Sequence, residues 1–353
     1  MITARDHSAR PAESVPASCH PGVTICPPGP TMKNTTDHSR RDFLKKITVG
    51  SLAIGAVGTV RADKAGEPIR VDRRTLGRIG ADVSILGLGL GTSFTKPYKG
   101  DRETGRALLE MALDNGINYF DTARGYGPSE EIIGPVVGRR RDEIFLVSKS
   151  ADRTYDGFKR ELETSLKNLR TDRIDLYHLH NFNPKKDTDL GAIEKGAVRA
   201  AREARDEGMI GAFGVTGHSG AQILIEAITR FDPDAILTTF PCNRPDDGRY
   251  EDELLPLATE RKMGVIAMKT VRHARNIDVT GTELIRSGIS IPGIHLAIVG
   301  LDTSAHLMEN VALVTDFQPM SAGDRESLFQ LSKASLAGLT APWDRPGYED
   351  RIA

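Results

Sequence analysis

The strongest constraint on the fold is an alternation of short apolar strands with helical stretches, which runs through most of the 353 residues. The strands are apolar on both faces, as expected for a parallel sheet that is covered by helices. Helical periodicity fills the intervals between them, for example at residues 103–114 and 157–169. The eight predicted strands are residues 83–90, 118–120, 143–149, 174–180, 210–215, 235–240, 264–268 and 296–299.

Eight strand–helix units over roughly 250 residues predict an α/β fold of the (β/α)8 TIM-barrel type. An open parallel sheet wound from the same units is the alternative. The glycine-rich residues 87–92 do not fit a dinucleotide-binding motif of the Rossmann type, because the third position is Thr92 and we expect no helix to begin there. We assign the barrel to residues 83–320, a linker and short hairpin to 63–82, and a terminal helix and tail to 321–353.

The first 62 residues differ in composition from the rest. Residues 1–31 are rich in Pro, Ser, Thr and Ala without hydrophobic periodicity, and we expect disorder there or a start of translation at Met32. Residues 39–46 read SRRDFLKK and precede an uncharged run of residues 47–60. This resembles a twin-arginine export signal with a cut after Ala62, so residues 32–62 are the expected signal peptide. The implied partner is the twin-arginine export machinery and the implied location is the bacterial periplasm.

Composition narrows the classes of partner. Lysine plus arginine (47) nearly balances aspartate plus glutamate (48), and no long basic run suggests nucleic acid or an anionic membrane. The uncharged run of residues 47–60 is too short for stable membrane insertion, which needs about 20 apolar residues. Of the three cysteines only Cys242 lies in the body of the chain, so neither a disulfide framework nor a cysteine metal site is expected there.

Polar residues follow the predicted strands at their carboxyl ends, where barrels of this type bind ligands. Asp121, Lys149 and His180 lie at the carboxyl ends of the second, third and fourth strands, and Tyr126 lies between two glycines just beyond the second. A nearby ammonium group lowers the pKa of a phenol, and a carboxylate keeps a lysine charged in a dry site. The four residues therefore predict a proton-delivery unit, in which the imidazole orients a carbonyl oxygen or shares in the proton relay.

The pair His178 and His180 also allows a different enzyme class. Alternate residues of a strand face the same way, and two such histidines at a barrel strand end are a pattern found in metal-dependent hydrolases. That alternative needs further ligands from other strands, and His218 and His273 are the only histidines available for it. For His178 we expect an interior histidine that is hydrogen-bonded, and we assign no metal site.

The motifs DTA at residues 121–123, YG at 126–127, Lys149 at a strand end, and IDLY at 174–177 leading to His180 resemble those of the aldo/keto reductase superfamily. The likeness covers about residues 74–315, including the hairpin that closes the barrel floor in that family. It implies reversible hydride transfer between NADP(H) or NAD(H) and a small carbonyl or alcohol substrate. By the same resemblance Asp121, Tyr126, Lys149 and His180 are catalytic, and the expected cofactor-binding residues are Gly91, Thr92, Thr216, Thr239, Gly300 and Asn310.

The chain departs from the family pattern at the cofactor. After the fifth strand the family usually has a Ser-Asn pair, whereas here Thr216 is followed by Gly217. NADP-preferring members often place a lysine and an arginine against the 2′-phosphate, where this chain has Gly300 and His306. We therefore expect weak discrimination in favour of NADPH, or use of NADH. A nucleotide-binding sensor or accessory protein with little turnover remains the non-enzymatic alternative.

Overall fold

The structure is a computed structural model that describes residues 71–271 and 278–336. The predicted leader, export signal and most of the linker lie outside these residues, as does the tail beyond residue 336. Within the described residues, no helix combines the length and the apolar character needed to cross a bilayer.

The chain enters the fold through the predicted hairpin. Strands β1 (Arg73–Thr75) and β2 (Asp82–Ser84) pair antiparallel around a short 3-10 turn at Gly77–Ile79. Leu76 is fully buried and packs with side chains of the barrel interior, so the hairpin closes the floor of the barrel. The Oγ of Ser84 donates to the carbonyl of Leu86 (2.6 Å), and the chain bends there. The predicted start of the barrel at residue 83 is therefore too early, because residues 82–84 belong to the hairpin.

Eight parallel strands close into a ring, which confirms the (β/α)8 barrel and rules out the open sheet. Each strand pairs with its sequence neighbours, and the last pairs with the first, for instance Ala297 with Leu86. The carboxyl ends of all eight strands therefore surround one mouth. The strands are β3 (Leu86–Gly89), β4 (Tyr119–Asp121), β5 (Phe145–Ser150), β6 (Ile174–Phe182), β7 (Ile210–Gly217), β8 (Ala235–Thr239), β9 (Gly264–Met268) and β10 (Leu296–Gly300).

Helices cover the outside of this ring and contain one irregularity that bears on the site. The helix after β6 is interrupted by a π-helical turn at Glu194–Val198. The α-helical segments are α1 (Thr92–Tyr98), α2 (Arg102–Asp114), α3 (Ser129–Arg140), α4 (Tyr155–Leu169), α5 (Leu190–Ile193), α6 (Arg199–Asp206), α7 (Ala221–Phe231), α8 (Leu255–Glu260), α9 (Gly281–Ile289), α10 (Ser304–Val314) and α11 (Ala322–Leu336).

Helix α1 contradicts the expectation that no helix begins at Thr92. Its first turn forms because Phe94 and Thr95 donate their backbone N–H groups to the carbonyl of Gly91. Phe94 is fully buried, and this anchoring of the apolar face outweighs the weak local signal of a segment that contains Pro97. The Rossmann fold is nevertheless excluded, because the sheet is a closed barrel.

Two apolar layers support the mouth of the barrel. One fills the barrel interior and includes Tyr119, Val147 and Leu176. The other lies between the strands and the helices and includes Phe120 and Leu146, the sequence neighbours that face outward. Because one buried side chain of this kind stabilises a fold by about 1.5–3 kcal/mol, the two layers hold the strand ends firmly.

Candidate active site

A buried ion pair connects the ends of β4 and β5. The Nζ of Lys149 donates to Oδ1 of Asp121 (2.6 Å) and to the carbonyl of Thr122 (2.7 Å). The two charged side chains are 1% and 2% exposed. Both residues face the barrel interior because they follow inward-facing Tyr119 and Val147 by two positions. The short contacts compensate for the loss of water around both charges.

Tyr126 lies above this ion pair in the loop between β4 and α3. Its backbone N–H donates to the carbonyl of Ala123 (3.0 Å), and its carbonyl accepts from Ser129 (3.2 Å), so the loop presents the ring in one position. The Nζ of Lys149 is 5.1 Å from the centre of the ring. A side chain at Gly91 would approach a ring carbon of Tyr126 to 3.3 Å. Gly91, predicted to bind the cofactor, thus lies beside the phenol.

His180 completes the group that the sequence predicted. Its Nε2 is 3.4 Å from the hydroxyl oxygen of Tyr126, and the two rings meet edge to face with their centres 5.4 Å apart. The imidazole is 4% exposed, whereas the phenol is only partly buried. This separation is long for a hydrogen bond, and such contacts often tighten when a ligand binds. Asp121, Lys149, Tyr126 and His180 therefore come together at three adjacent strand ends.

A second layer of buried polar groups supports the ion pair from behind. The carboxylate of Glu130, on α3, is fully buried and accepts from Ser148 Oγ (2.8 Å) and Asn168 Nδ2 (3.2 Å). Ser129 Oγ donates to the carbonyl of Leu90 (2.7 Å). These bonds connect the start of α3 to β5, α4 and the residue after β3. The structural role of residues 129 and 130 is visible only in the folded protein, because their partners lie far along the chain.

His178 lies inside the barrel as predicted, but the expected hydrogen bond is not found among the described residues. Neither ring nitrogen has a protein partner within the described residues, and the side chain is fully buried. Space for the ring exists because Gly214, opposite it on β7, has no side chain; a Cβ there would lie 2.3 Å from Nδ1 of His178. Burial and then the positive charge of Lys149 hold the pKa of His178 well below its usual range.

The remaining cofactor candidates continue around the mouth. Thr216 is the second-last residue of β7, and its Oγ1 accepts the backbone N–H of Asn181 (2.8 Å). Thr239 ends β8, and its buried Oγ1 has no protein partner in the part of the chain that is described. Thr92 is exposed at the start of α1.

Gly300 and Asn310 lie on the other side of the ring. Gly300 ends β10, and a side chain there would approach Ser93 at the start of α1 to 2.7 Å. Asn310 is partly buried on α10. Near the start of the same helix, Nδ1 of His306 is 2.7 Å from Oδ1 of Asp302, and this contact raises the pKa of His306. At residue 306, where the chain departs from the expected family pattern, the histidine is therefore paired with the carboxylate of Asp302.

Asn181 is a polar residue of the mouth that the sequence did not single out. It follows His180 with a left-handed backbone (φ 57°), and its buried Oδ1 has no protein partner among residues 71–271 and 278–336. Asparagine tolerates this conformation better than most residues, which is the one local signal that could have drawn attention to it.

The described residues contain no group of three or more His, Cys, Asp or Glu side chains that could hold a metal ion. Of the two further histidines that the hydrolase alternative needs, His273 lies outside the described residues, and His218 forms no such group with His178 and His180.

Comparisons with known proteins agree with this geometry. The aldo/keto reductase family profile matches residues 85–275, which is more than half of the chain. The chain is 31% identical over 212 residues to the uncharacterized oxidoreductase YqkF of Bacillus subtilis and 34% identical over 200 residues to the aldo-keto reductase YhdN of the same organism. These alignments cover 55% and 52% of this chain, and 63% and 57% of the relatives.

Among solved structures, one from Pseudomonas aeruginosa that is assigned to the aldo-keto reductases superimposes with a TM-score of 0.57 at 30% identity. The match covers 69% of this chain and 94% of that protein. The family match and the closed barrel lead to one assignment: the chain belongs to the aldo/keto reductase family.

Proposed function

We propose that this protein is an NAD(P)H-dependent carbonyl reductase, which also acts in reverse as an alcohol dehydrogenase. The observation that carries the proposal is the approach of the Tyr126 hydroxyl to His180, with the buried pair of Lys149 and Asp121 directly behind it. The substrate is a small carbonyl compound or the corresponding alcohol. Its further chemistry depends on the loops after the strands, which vary most in barrels of this kind.

Each residue of the group has one task in the reduction. Tyr126 donates its hydroxyl proton to the carbonyl oxygen of the substrate, and His180 holds that oxygen next to the phenol. The positive charge of Lys149 favours the phenolate that remains, and Asp121 holds the Lys149 ammonium group in place through the buried salt bridge. The nicotinamide cofactor supplies the hydride that adds to the carbonyl carbon, so that hydride and proton together convert the carbonyl to an alcohol.

The residues present fit a nicotinamide cofactor. The buried Oγ1 of Thr239 and Oδ1 of Asn181 have no protein partners in the described part of the chain, and buried polar atoms of this kind are nearly always satisfied by a partner. Thr216 Oγ1 accepts a bond from Asn181 and keeps its own proton to donate. These three residues would hold the carboxamide group. Gly300 and Asn310 would lie along the remainder of the cofactor.

The proposal is tested by single-turnover reduction of an aromatic aldehyde with purified protein that has been loaded with NADPH or NADH. Tyr126→Phe removes the proton donor, and we expect it to slow the reaction by about 10²–10⁴-fold. Tyr155→Phe is the matched control, because its hydroxyl contacts Glu203 on the outside of the barrel. Equal rates for wild type and Tyr126→Phe would overturn the enzymatic proposal and favour a nucleotide-binding role without turnover.

A further inference from the structure

The backbone of His180 lies where the regular pairing of β6 is interrupted. Pairing with β5 ends at Ser150 opposite Leu179. Pairing with β7 shifts register between Leu179 and Phe182, so that an extra residue of β6 is accommodated at this point. A shift of this kind re-aims side chains and is common next to active sites. The ladder of the sheet alone therefore does not determine where the His180 imidazole points.

One arginine spans the interruption from the neighbouring strand end. Nη2 of Arg153, in the loop after β5, donates to the carbonyl of His180 (2.8 Å). The guanidinium also lies over the ring of Phe182, with 4.5 Å between Cζ and the ring centre. Arg153 thus contacts the residues on both sides of Asn181. A planar guanidinium suits this task because it can bond at its edge and stack on its face at the same time.

A buried carboxylate holds the arginine in place. Asp187 accepts from Nε of Arg153 (2.7 Å) and from its Nη2 (3.3 Å), and the two side chains are 20% and 5% exposed. The carboxylate oxygen that accepts from Nη2 also accepts the backbone N–H of Asn183 (2.8 Å). The pair therefore fixes residues 180–187 as one unit, from the candidate catalytic imidazole to the end of the following turn.

The backbone of Arg153 is anchored as well. Its carbonyl accepts the N–H of Ala197, which lies in the π-helical turn at Glu194–Val198 (3.0 Å). Gly196 allows this approach, because a Cβ at that position would come within 2.5 Å of the same carbonyl oxygen. The irregular turn between α5 and α6 thus meets the loop that carries Arg153. Turns of this kind inside helices occur frequently at functional sites.

We infer that Arg153, held by Asp187, is a positioning residue for His180. By holding the backbone of His180, Arg153 sets the distance between the imidazole and the Tyr126 hydroxyl. The inference rests on the proposed reductase function, in which that distance decides where the carbonyl oxygen is held. Arg153 does not take part in the proton transfer. Its loss leaves the four catalytic side chains present but misaligned, and a misalignment of about 1 Å can reduce a rate by about a hundredfold.

The chain contains a matched control at the opposite end of the same two strands. Nη2 of Arg141 pairs with Asp175 (2.9 Å) and donates to the carbonyl of Arg173 (2.9 Å), with side-chain exposures of 18% and 16%. Asp175 also accepts the backbone N–H of Leu146 (2.7 Å). The Arg141–Asp175 pair therefore joins β5 to β6 through an arginine–carboxylate contact, as Arg153 and Asp187 do, but it lies far from the mouth. Arg141→Lys therefore reports the cost of weakening such a clamp without moving His180.

The experiment compares Arg153→Lys with Arg141→Lys in the purified protein. We expect Arg153→Lys to lower kcat for an aromatic aldehyde by about tenfold to a hundredfold. We expect cofactor affinity, from fluorescence titration with NADPH, to stay within about threefold of wild type for both variants. The imidazole NMR signals of His180, assigned through His180→Gln, should shift in Arg153→Lys and stay in place in Arg141→Lys.

Two results distinguish a failure of this inference from a failure of the proposed function. If wild type and Tyr126→Phe turn over equally, the reductase proposal fails, while the imidazole signals still test the positioning. If Arg153→Lys matches Arg141→Lys in both kcat and His180 signals, the inference is overturned. Should Arg153→Lys not fold, Asp187→Asn replaces it: unchanged kcat and unchanged His180 signals in that variant would equally overturn the inference.

Discussion

Lys149 and Asp121 form a salt bridge of 2.6 Å in which neither side chain is more than 2% exposed. Asp121→Asn would leave the ammonium group buried without a counter-charge. Because breaking one side of a buried pair typically costs about 3–5 kcal/mol, we expect that loss in the free energy of unfolding, measured with urea. Asp82→Asn is the control, since its partner Arg73 is exposed and the loss there should stay below about 1 kcal/mol. Equal losses would contradict this account of the ion pair.

Gly214 and His178 should behave as a coupled pair. Gly214→Ala introduces a Cβ 2.3 Å from the imidazole and 2.9 Å from the carbonyl of Ala235. We expect it to lower the free energy of unfolding by about 1–3 kcal/mol through overpacking. Adding His178→Ala should cost less in the Gly214→Ala background than in wild type, because the clash with the ring is then absent. Additive losses in the double-mutant cycle would show that the ring and the new methyl group do not compete.

His178 should also make stability depend on pH. It stays neutral when folded, because burial and Lys149 hold its pKa well below the usual range, but titrates near pH 6.5 when the chain is unfolded. The unfolded state therefore binds one more proton below about pH 6.5, and stability falls by about 1.4 kcal/mol per pH unit as pH decreases. His178→Leu should remove this contribution, seen as a shallower slope of unfolding free energy between about pH 6.5 and 5. The partly buried His295 contributes equally to both proteins and cancels in the comparison.

The cofactor preference should depend on residue 306. His306 contacts Asp302. By the resemblance to the family, we expect residue 306 to lie where an arginine would face the 2′-phosphate of NADPH. A charge-assisted hydrogen bond contributes about 1.5–3 kcal/mol, so His306→Arg should tighten NADPH binding by about tenfold to a hundredfold and leave NADH binding unchanged. Met308→Arg adds the same charge at an exposed position of the same helix and should leave the binding of both cofactors unchanged. A wild-type preference for NADPH above about a hundredfold would refute the expected weak discrimination.

Export remains a proposal that rests on residues 39–62. Replacing Arg40 and Arg41 together by lysine should keep the protein in the cytoplasm of a bacterium that has the twin-arginine system. Wild type should appear in the periplasmic fraction with a new amino terminus at Asp63, read by mass spectrometry. Arg61→Lys, close to the expected cut, is the control and should still be exported. An unchanged distribution of the double variant would argue against this route.

The local pattern of the chain was sufficient to predict the barrel and the four residues of the candidate proton-delivery group. Strand alternation is a property of neighbouring residues, and a parallel barrel necessarily brings its strand ends to one mouth. Asp121, Lys149 and His180 could therefore be predicted to converge from their position after apolar runs. The local pattern was insufficient at Thr92, where burial of Phe94 stabilises a helix that propensity does not favour.

Tertiary structure alone decided which partners each polar residue meets. His178 was expected to find a hydrogen bond, but its ring lies against Gly214 of the adjacent strand, and no protein group reaches its nitrogens in the described residues. Arg153 reaches His180 and Asp187 from 27 and 34 positions away. The sequence by itself determined the fold and which polar residues lie at the strand ends, because both follow from short-range periodicity. The alignment of that chemistry was decided by long-range contacts, whose distances depend on how the whole barrel closes.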